Sequence, residues 1–357
     1  MLMENENKKQ SGFVNPYSPD KKAFSRIGFA CLAVSAVSLA LEYGLVYLIK
    51  NYYPDLISRS WLPYVLQVIC LYVVSIPLGI CIIRGEKQVL MIAPKPEKSS
   101  MSAYDFFISL IACFPLMYGG SLIGTILNNI LSGFTGKTSD SGLTALFSIG
   151  PVWLVFLISV VIGPIMEEIF FRFALIEALR PWGWKAAMWI SAGIFGIFHG
   201  NLEQLFYATF IGLIFGAMYL KTGKIRYSAA AHMILNFFGG FLPTLLTKDV
   251  IGDTELINYF QNLTHNPETE EEIKEFTENM SRIAPYSVKI LAYYGVILGL
   301  IVAGIIIIRI YRKDFRFLPG ERRIERSAVG DTFFLAPGIL LFIVGSVALM
   351  IVNAIVA

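Results

Sequence analysis

Apolar residues recur in nine blocks of roughly membrane length, near 27–49, 61–83, 104–131, 150–178, 185–199, 203–220, 227–246, 287–310 and 333–356. A helix needs about 20 apolar residues to cross the hydrocarbon core, and blocks of this length are too long for buried strands. The pattern predicts an all-α fold, a polytopic transmembrane helical bundle of about nine spans. The block 185–199 is the shortest, and the turn Gly200-Asn201 ends it, so this helix begins or stops within the membrane. No internal repeat or low-complexity tract interrupts the series.

The polar connections carry a second pattern. Lys and Arg collect at the N-terminus (Lys8, Lys9, Lys21, Lys22, Arg26), then in every second connection: Arg84, Lys87, Lys95 and Lys98; Arg180 and Lys185; Lys221, Lys224 and Arg226; and Arg309 to Arg326. Cytoplasmic loops accumulate basic residues, so this alternation puts the N-terminus inside and the C-terminus outside, and a miscounted span would break it. The longest intervening connection is acidic, with Glu268, Glu270, Glu271, Glu272, Glu275 and Glu278, and reads as a wet surface resembling a short solvated helix. The chain then divides into a cytoplasmic tail (1–26), N-terminal spans (27–149), a central core (150–246), an acidic extracytoplasmic loop (247–286) and C-terminal spans (287–357).

Composition agrees with a lipid solvent: 55% of residues are hydrophobic and 15% charged, and the mean hydropathy is +0.63. The net charge of +3 is too small to imply a nucleic-acid partner. The bilayer and a membrane-associated protein or peptide are the expected partners. Cys31, Cys70, Cys81 and Cys113 lie in or beside apolar blocks without CxxC spacing, which suits small buried hydrophobes. The polar N-terminus does not resemble a cleaved signal peptide.

An ionised side chain at the bilayer centre costs at least about 2.5 to 3.5 kcal/mol, so the exceptions mark functional sites. Three clusters qualify. Glu167, Glu168 and Arg172 share one block; Glu168 and Arg172 are spaced i, i+4 and can pair, whereas Glu167 points about 100° round the helix. His199 ends a second block. His232 and Asn236, again i, i+4, share one face of a third. Counting about 1.5 Å per residue from the nearest basic residue puts Glu168 roughly 18 Å, His199 roughly 21 Å and His232 roughly 12 Å into the membrane. The three clusters can meet at one depth. A structural ion cluster joining helices, or core histidines held by hydrogen bonds, is the plainer alternative. The remaining histidine, His265, falls in the acidic connection and reads as solvated.

This set contains the parts of a hydrolase. Glu167, desolvated and unpaired, suits a general base; His199 can hold the same water or shuttle its proton; His232 and Asn236 can direct donors at an oxyanion. No serine or cysteine nucleophile with an evident partner stands beside them. A zinc site using His199, His232 and Glu167 is the metal-dependent alternative, although HExxH is absent. The leading reading requires no cofactor.

Glu167-Glu168-Ile169-Phe170-Phe171-Arg172, Phe195 to His199, and His232 to Asn236 match in order the EExxxR, FxxxH and HxxxN motifs. In them, over about residues 150–246, the sequence resembles the CPBP family of intramembrane proteases. That family includes the type II CAAX prenyl endopeptidases and the bacteriocin-processing and self-immunity proteins. The resemblance implies a conical helical core open to the cytoplasm of a bacterium. It implies water activation by Glu167 and His199, an oxyanion site at His232 and Asn236, and support from Glu168 and Arg172. The family is classed with metalloproteases, although its better understood prenyl proteases look like glutamate-dependent enzymes. The expected reaction is endopeptidase cleavage of a lipidated or membrane-associated protein or peptide. A transporter, which would show paired half-repeats, and a non-catalytic immunity or scaffold protein are the competing classes.

Overall fold

Lipid offers no partner to a backbone amide, so a spanning chain closes its hydrogen bonds along helices. A computed structural model describes residues 19–85, 100–135, 150–263, 266–311 and 329–356, and among these residues there is no strand. The tail to residue 18, Lys87, Lys95, Lys98, His265 and the basic residues from Arg312 to Arg326 lie outside the described residues.

The helices are α1 (Pro19–Tyr52), α2 (Leu62–Arg84), α3 (Ala103–Thr135), α4 (Val152–Trp182), α5 (Trp184–Phe198), α6 (Leu202–Thr222), α7 (Ile225–Lys248), α8 (Thr254–Asn262), α9 (Glu270–Tyr311) and α10 (Pro337–Val356). Seven of them, α1 to α4, α6, α7 and α9, are long and apolar enough to cross a membrane, and α5 and α10 are shorter apolar helices. Each of the nine apolar blocks therefore has its helix, and α5 is short as its sequence requires.

The acidic segment is helical, as expected of a short solvated helix, but it is continuous with the span that follows. Its residues from Glu270 onward are the opening turns of α9, a helix of 42 residues whose later part is the expected span. A capping box starts it: the Glu272 amide donates to Thr269 Oγ1 (3.2 Å), while the Glu272 carboxylate accepts from the amides of Thr269 (3.1 Å) and Glu268 (3.0 Å). Asp253 caps α8 by accepting from the Leu256 amide (3.1 Å), and Arg282 of α9 pairs with Asp253. The charge run is a wet helix continuous with a membrane helix.

Contacts at the helix ends sort the molecule into two ends. Lys21 pairs with Asp331 at 2.9 Å, Lys221 with Asp105 at 3.4 Å, and the hydroxyls of Tyr104 and Tyr311 meet at 2.6 Å. Tyr227 accepts from the Met101 amide at 3.2 Å, and Arg84 lies over the Phe173 ring at 4.9 Å. All these residues adjoin connections expected to be basic. The turn at Gly200 and the start of α6 lie at the other ends of their helices.

Helices approach closely where side chains vanish. Gly120 and Gly124, one turn apart on α3, face α6; a Cβ on Gly120 would stand 2.5 Å from Tyr207 Cα, and one on Gly124 would stand 2.4 Å from the Leu202 carbonyl. Such small-residue pairs give membrane helices the van der Waals contact that lipid otherwise supplies. Widened π-helical turns are the second device, at Val68–Ser75 in α2, Phe156–Ile162 and Ile169–Ile176 in α4, and Phe237–Phe241 in α7. The first of those in α4 precedes Pro164, whose ring lacks an amide donor and would crowd the carbonyl of a regular turn.

Gly120→Leu is expected to cost at least about 2 kcal/mol of stability by overpacking. Gly119→Leu should be close to neutral, because a Cβ at Gly119 meets nothing within 4 Å. Thermal unfolding of the two variants in one detergent checks the contrast.

Candidate active site

The site is built around the middle of α4. Glu168 and Arg172 are fully buried, and Arg172 Nε meets Glu168 Oε2 at 3.2 Å, the pairing their i, i+4 spacing predicts. Two neighbouring helices complete the surroundings of Arg172. Its Nη1 donates to Ser191 Oγ of α5 at 3.2 Å, and the Ser191 hydroxyl in turn donates to the Phe171 carbonyl at 2.8 Å. The guanidinium lies 4.9 Å from the Phe195 ring and 5.7 Å from the Phe215 ring, so aromatic faces of α5 and α6 bear on the cation.

From α7, His232 joins both carboxylates. Its Nδ1 lies 3.4 Å from Glu168 Oε1 and its Nε2 lies 3.8 Å from Glu167 Oε2. Ser228, one turn earlier on α7, also faces Glu168. The two adjacent glutamates thus occupy different surroundings. The Glu168 side chain is 0% exposed and paired, whereas that of Glu167 is 20% exposed.

His199 caps the C-terminal end of α5, where its Nδ1 lies 2.7 Å from the Phe195 carbonyl. A carbonyl only accepts, so Nδ1 carries the hydrogen and Nε2 of the neutral ring is left as an acceptor. Its charge interactions are with Glu167 and His232, which puts the three predicted clusters within electrostatic reach of one another. The turn beyond it is fixed. Gly200 has φ +66, Asn201 Nδ2 donates to the His199 carbonyl at 3.1 Å, and Asn201 Oδ1 accepts the Gln204 amide at 2.8 Å to cap α6.

Asn236 turns its amide towards a neighbouring helix. Its Nδ2 donates to the Ser159 carbonyl at 2.9 Å, on the first widened turn of α4, so one of its two hydrogens pins α7 to α4. Only the second hydrogen is left for a ligand.

Sequence reasoning missed Ser191, Tyr72 and Tyr207. Ser191 is a lone hydroxyl in an apolar block, with no signal of the arginine it serves. Tyr72 of α2 packs against Gly163, where a Cβ would stand 2.7 Å from its hydroxyl. Tyr72 and Tyr207 both interact with the charge of Glu167. Glu203, at the start of α6, was passed over as a span boundary; it accepts from Asn128 Nδ2 at 3.4 Å.

The zinc alternative needs three donors around one point. Among the described residues no three His, Cys, Asp or Glu side chains form such a group. Both ring nitrogens of His232 are directed at carboxylates, and His199 Nδ1 is committed to its own helix. As placed, these side chains do not converge on a three-ligand centre among the described residues.

Residues 149–238 match the family model described as type II CAAX prenyl endopeptidase Rce1-like. A protein of Bacillus subtilis (strain 168) described as "Putative membrane peptidase YdiL" is 36% identical over 104 residues, a stretch that covers 29% of this chain and 43% of that protein. The chain thus spans less than half the length of this relative. No solved structure matches the chain. The matched region contains Glu167, Glu168, Arg172, His199, His232 and Asn236.

Removing one partner of a buried ion pair leaves an uncompensated charge, at a cost of about 3 to 5 kcal/mol. Arg172→Met should therefore destabilise the protein by about that amount, and the double variant Arg172→Met with Glu168→Gln by less. Denaturation of the purified variants in mixed micelles measures the difference.

Proposed function

From its Rce1-like segment we propose that this chain is a CPBP-type membrane protease, an intramembrane endopeptidase with Glu167 as its general base. The observation that carries the proposal is the division of labour between adjacent glutamates. Glu168 is consumed by Arg172 and His232, while Glu167 keeps a partly exposed carboxylate beside the second nitrogen of the same imidazole.

The chemistry follows from where protons can be held. A water between Glu167 and His199 Nε2 faces two acceptors, which orient its lone pair towards a scissile carbonyl. Glu167 takes the proton as the oxygen–carbon bond forms. Glu167 then passes that proton to the departing amine as the carbon–nitrogen bond breaks, while the Nε2–H of His232 is offered to the tetrahedral oxyanion. The free hydrogen of the Asn236 amide is the second candidate donor for that oxyanion. An apolar surround strengthens each of these interactions relative to water.

In this reading no metal takes part, and the metalloendopeptidase class does not apply. The substrate is a lipidated or membrane-associated protein or peptide, approached from the end of the bundle where the basic connections gather. That end is cytoplasmic, with the C-terminus outside, in the plasma membrane of a bacterium. The orientation rests on the distribution of Lys and Arg, and the bacterial plasma membrane on the family resemblance.

Glu167→Ala and His232→Ala should each reduce peptide cleavage by at least about a hundredfold, the scale of a lost general base or oxyanion donor. Comparing membrane peptides from cells carrying wild type or Glu167→Ala supplies the substrate. Cleavage that survives both substitutions would sink the assignment. Separately, purified protein should keep its activity after prolonged treatment with 1,10-phenanthroline. Loss on chelation with recovery on adding zinc would replace water activation by the glutamate with a metal mechanism.

A further inference from the structure

The chain from Pro337 to Val356 is apolar except for Ser346 and Asn353. A side-chain amide near the end of such a helix can bond water or a protein partner, and Asn353 is an exposed residue. Its partner is on another helix pair: Asn353 Nδ2 donates to the Gly200 carbonyl at 3.0 Å. Gly200 directly follows His199 in the turn between α5 and α6.

That turn is bonded from within by Asn201, which accepts from Gln204 and donates to the His199 carbonyl. The Gly200 carbonyl is the point at which α10 reaches it. Leu349, one turn before Asn353, packs on the same glycine, with Cδ2 3.1 Å from where a Cβ would be. Gly200 has φ +66, a conformation open to glycine that a residue with a Cβ resists, so the turn and the contacts of α10 with it depend on this glycine.

The other end of α10 is seated firmly. A Cβ on Gly338 would stand 1.8 Å from the Ser25 carbonyl, and one on Gly28 would stand 2.1 Å from Gly338 C, so α1 and α10 touch backbone to backbone. The Gly338 amide donates to Ser25 Oγ at 3.0 Å, and Lys21 pairs with Asp331 nearby. The helix is a strut held against α1 at one end and against the His199 turn at the other.

We propose that Asn353 is a positioning residue for His199, acting from a helix outside the matched segment by holding the Gly200 carbonyl and so the height and tilt of the imidazole. The inference rests on the reading of His199 as one of the two groups that hold the attacking water. It extends that reading to the C-terminal span, which carries none of the three motifs.

The test uses full-length protein in detergent with two readouts. Side-chain NMR of the labelled histidines, with His199 assigned from His199→Gln, reads the imidazole directly. Asn353→Leu, which keeps the bulk and removes the donor, should shift the His199 resonances and its titration curve and leave those of His232 in place. On a peptide substrate the same variant should lower kcat roughly tenfold with KM within about twofold, as expected for a misplaced group far from the bond being broken. Asn353→Gln, which keeps an amide, should recover most of the loss. If Asn353→Leu does not fold, Asn353→Ser places a shorter donor out of reach and reads the same quantities. His199 resonances and titration unchanged in the donor-less variant would overturn the proposal. A wild-type protein that cleaves nothing would overturn the protease reading instead, because the NMR arm still decides whether Asn353 positions His199.

Discussion

The pair between Glu168 and Arg172 is completely desolvated, and much of the central bundle is arranged around that fact. Moving each ion out of water costs several kcal/mol after relaxation, which one contact at 3.2 Å does not repay. Further partners are therefore recruited from each adjacent helix. Ser191 of α5 accepts from the guanidinium, the rings of Phe195 and Phe215 bring α5 and α6 against it, and Ser228 and His232 of α7 face the carboxylate. One buried ion pair thus sets the relative rotation of four helices. His232 is where it is because Glu168 needs it, and its second nitrogen then lies beside Glu167.

Regular helices would make that convergence hard, because each side chain would be locked to a 100° step. The widened turns in α4 and α7 adjust the step near the charged residues, and a side chain from a neighbour meets a carbonyl on each. Asn236 donates to Ser159, Ser191 to Phe171, and Tyr293 of α9 to Phe238. Tyr293 also meets the hydroxyl of Tyr118 on α3 at 3.0 Å, so the turn that follows Asn236 is tied to two outer helices. Irregular backbone at membrane depth is tolerated where protein satisfies it, and here the donors double as interhelical links.

The spans were legible because hydrophobic length is a property of consecutive residues, and the pairing of Glu168 with Arg172 because i, i+4 neighbours meet whatever surrounds them. Relations between distant segments were not. Spacing put His232 and Asn236 on one face but said nothing of the Ser159 carbonyl that takes the amide, since the partner is a backbone atom on another helix. The acidic stretch read as a short solvated helix within a connection because charge marks water; its continuity with the following span was not legible, and Thr269 and Glu272 were the capping signal that marks the start of α9. Ser191 and Asn353 are single polar residues in apolar blocks, and each has meaning only through a contact that sequence order conceals.

Adjacent residues with identical side chains can differ this much only because the helix turns them to different neighbours. Rotation by one residue carries the carboxylate from the fully buried side of α4, where Arg172 lies, to a side that is partly open. There Glu167 keeps His232 at 3.8 Å, a separation longer than a direct hydrogen bond. A carboxylate with that much slack can receive a proton from a third group without first breaking a strong contact, whereas Glu168 cannot be protonated without leaving Arg172 buried and unpaired. The structural ion pair and the reactive carboxylate are therefore not competing descriptions of the same motif. The first supports the second, because Glu168 is the carboxylate in contact with Arg172, while Glu167 feels the same cation only at longer range.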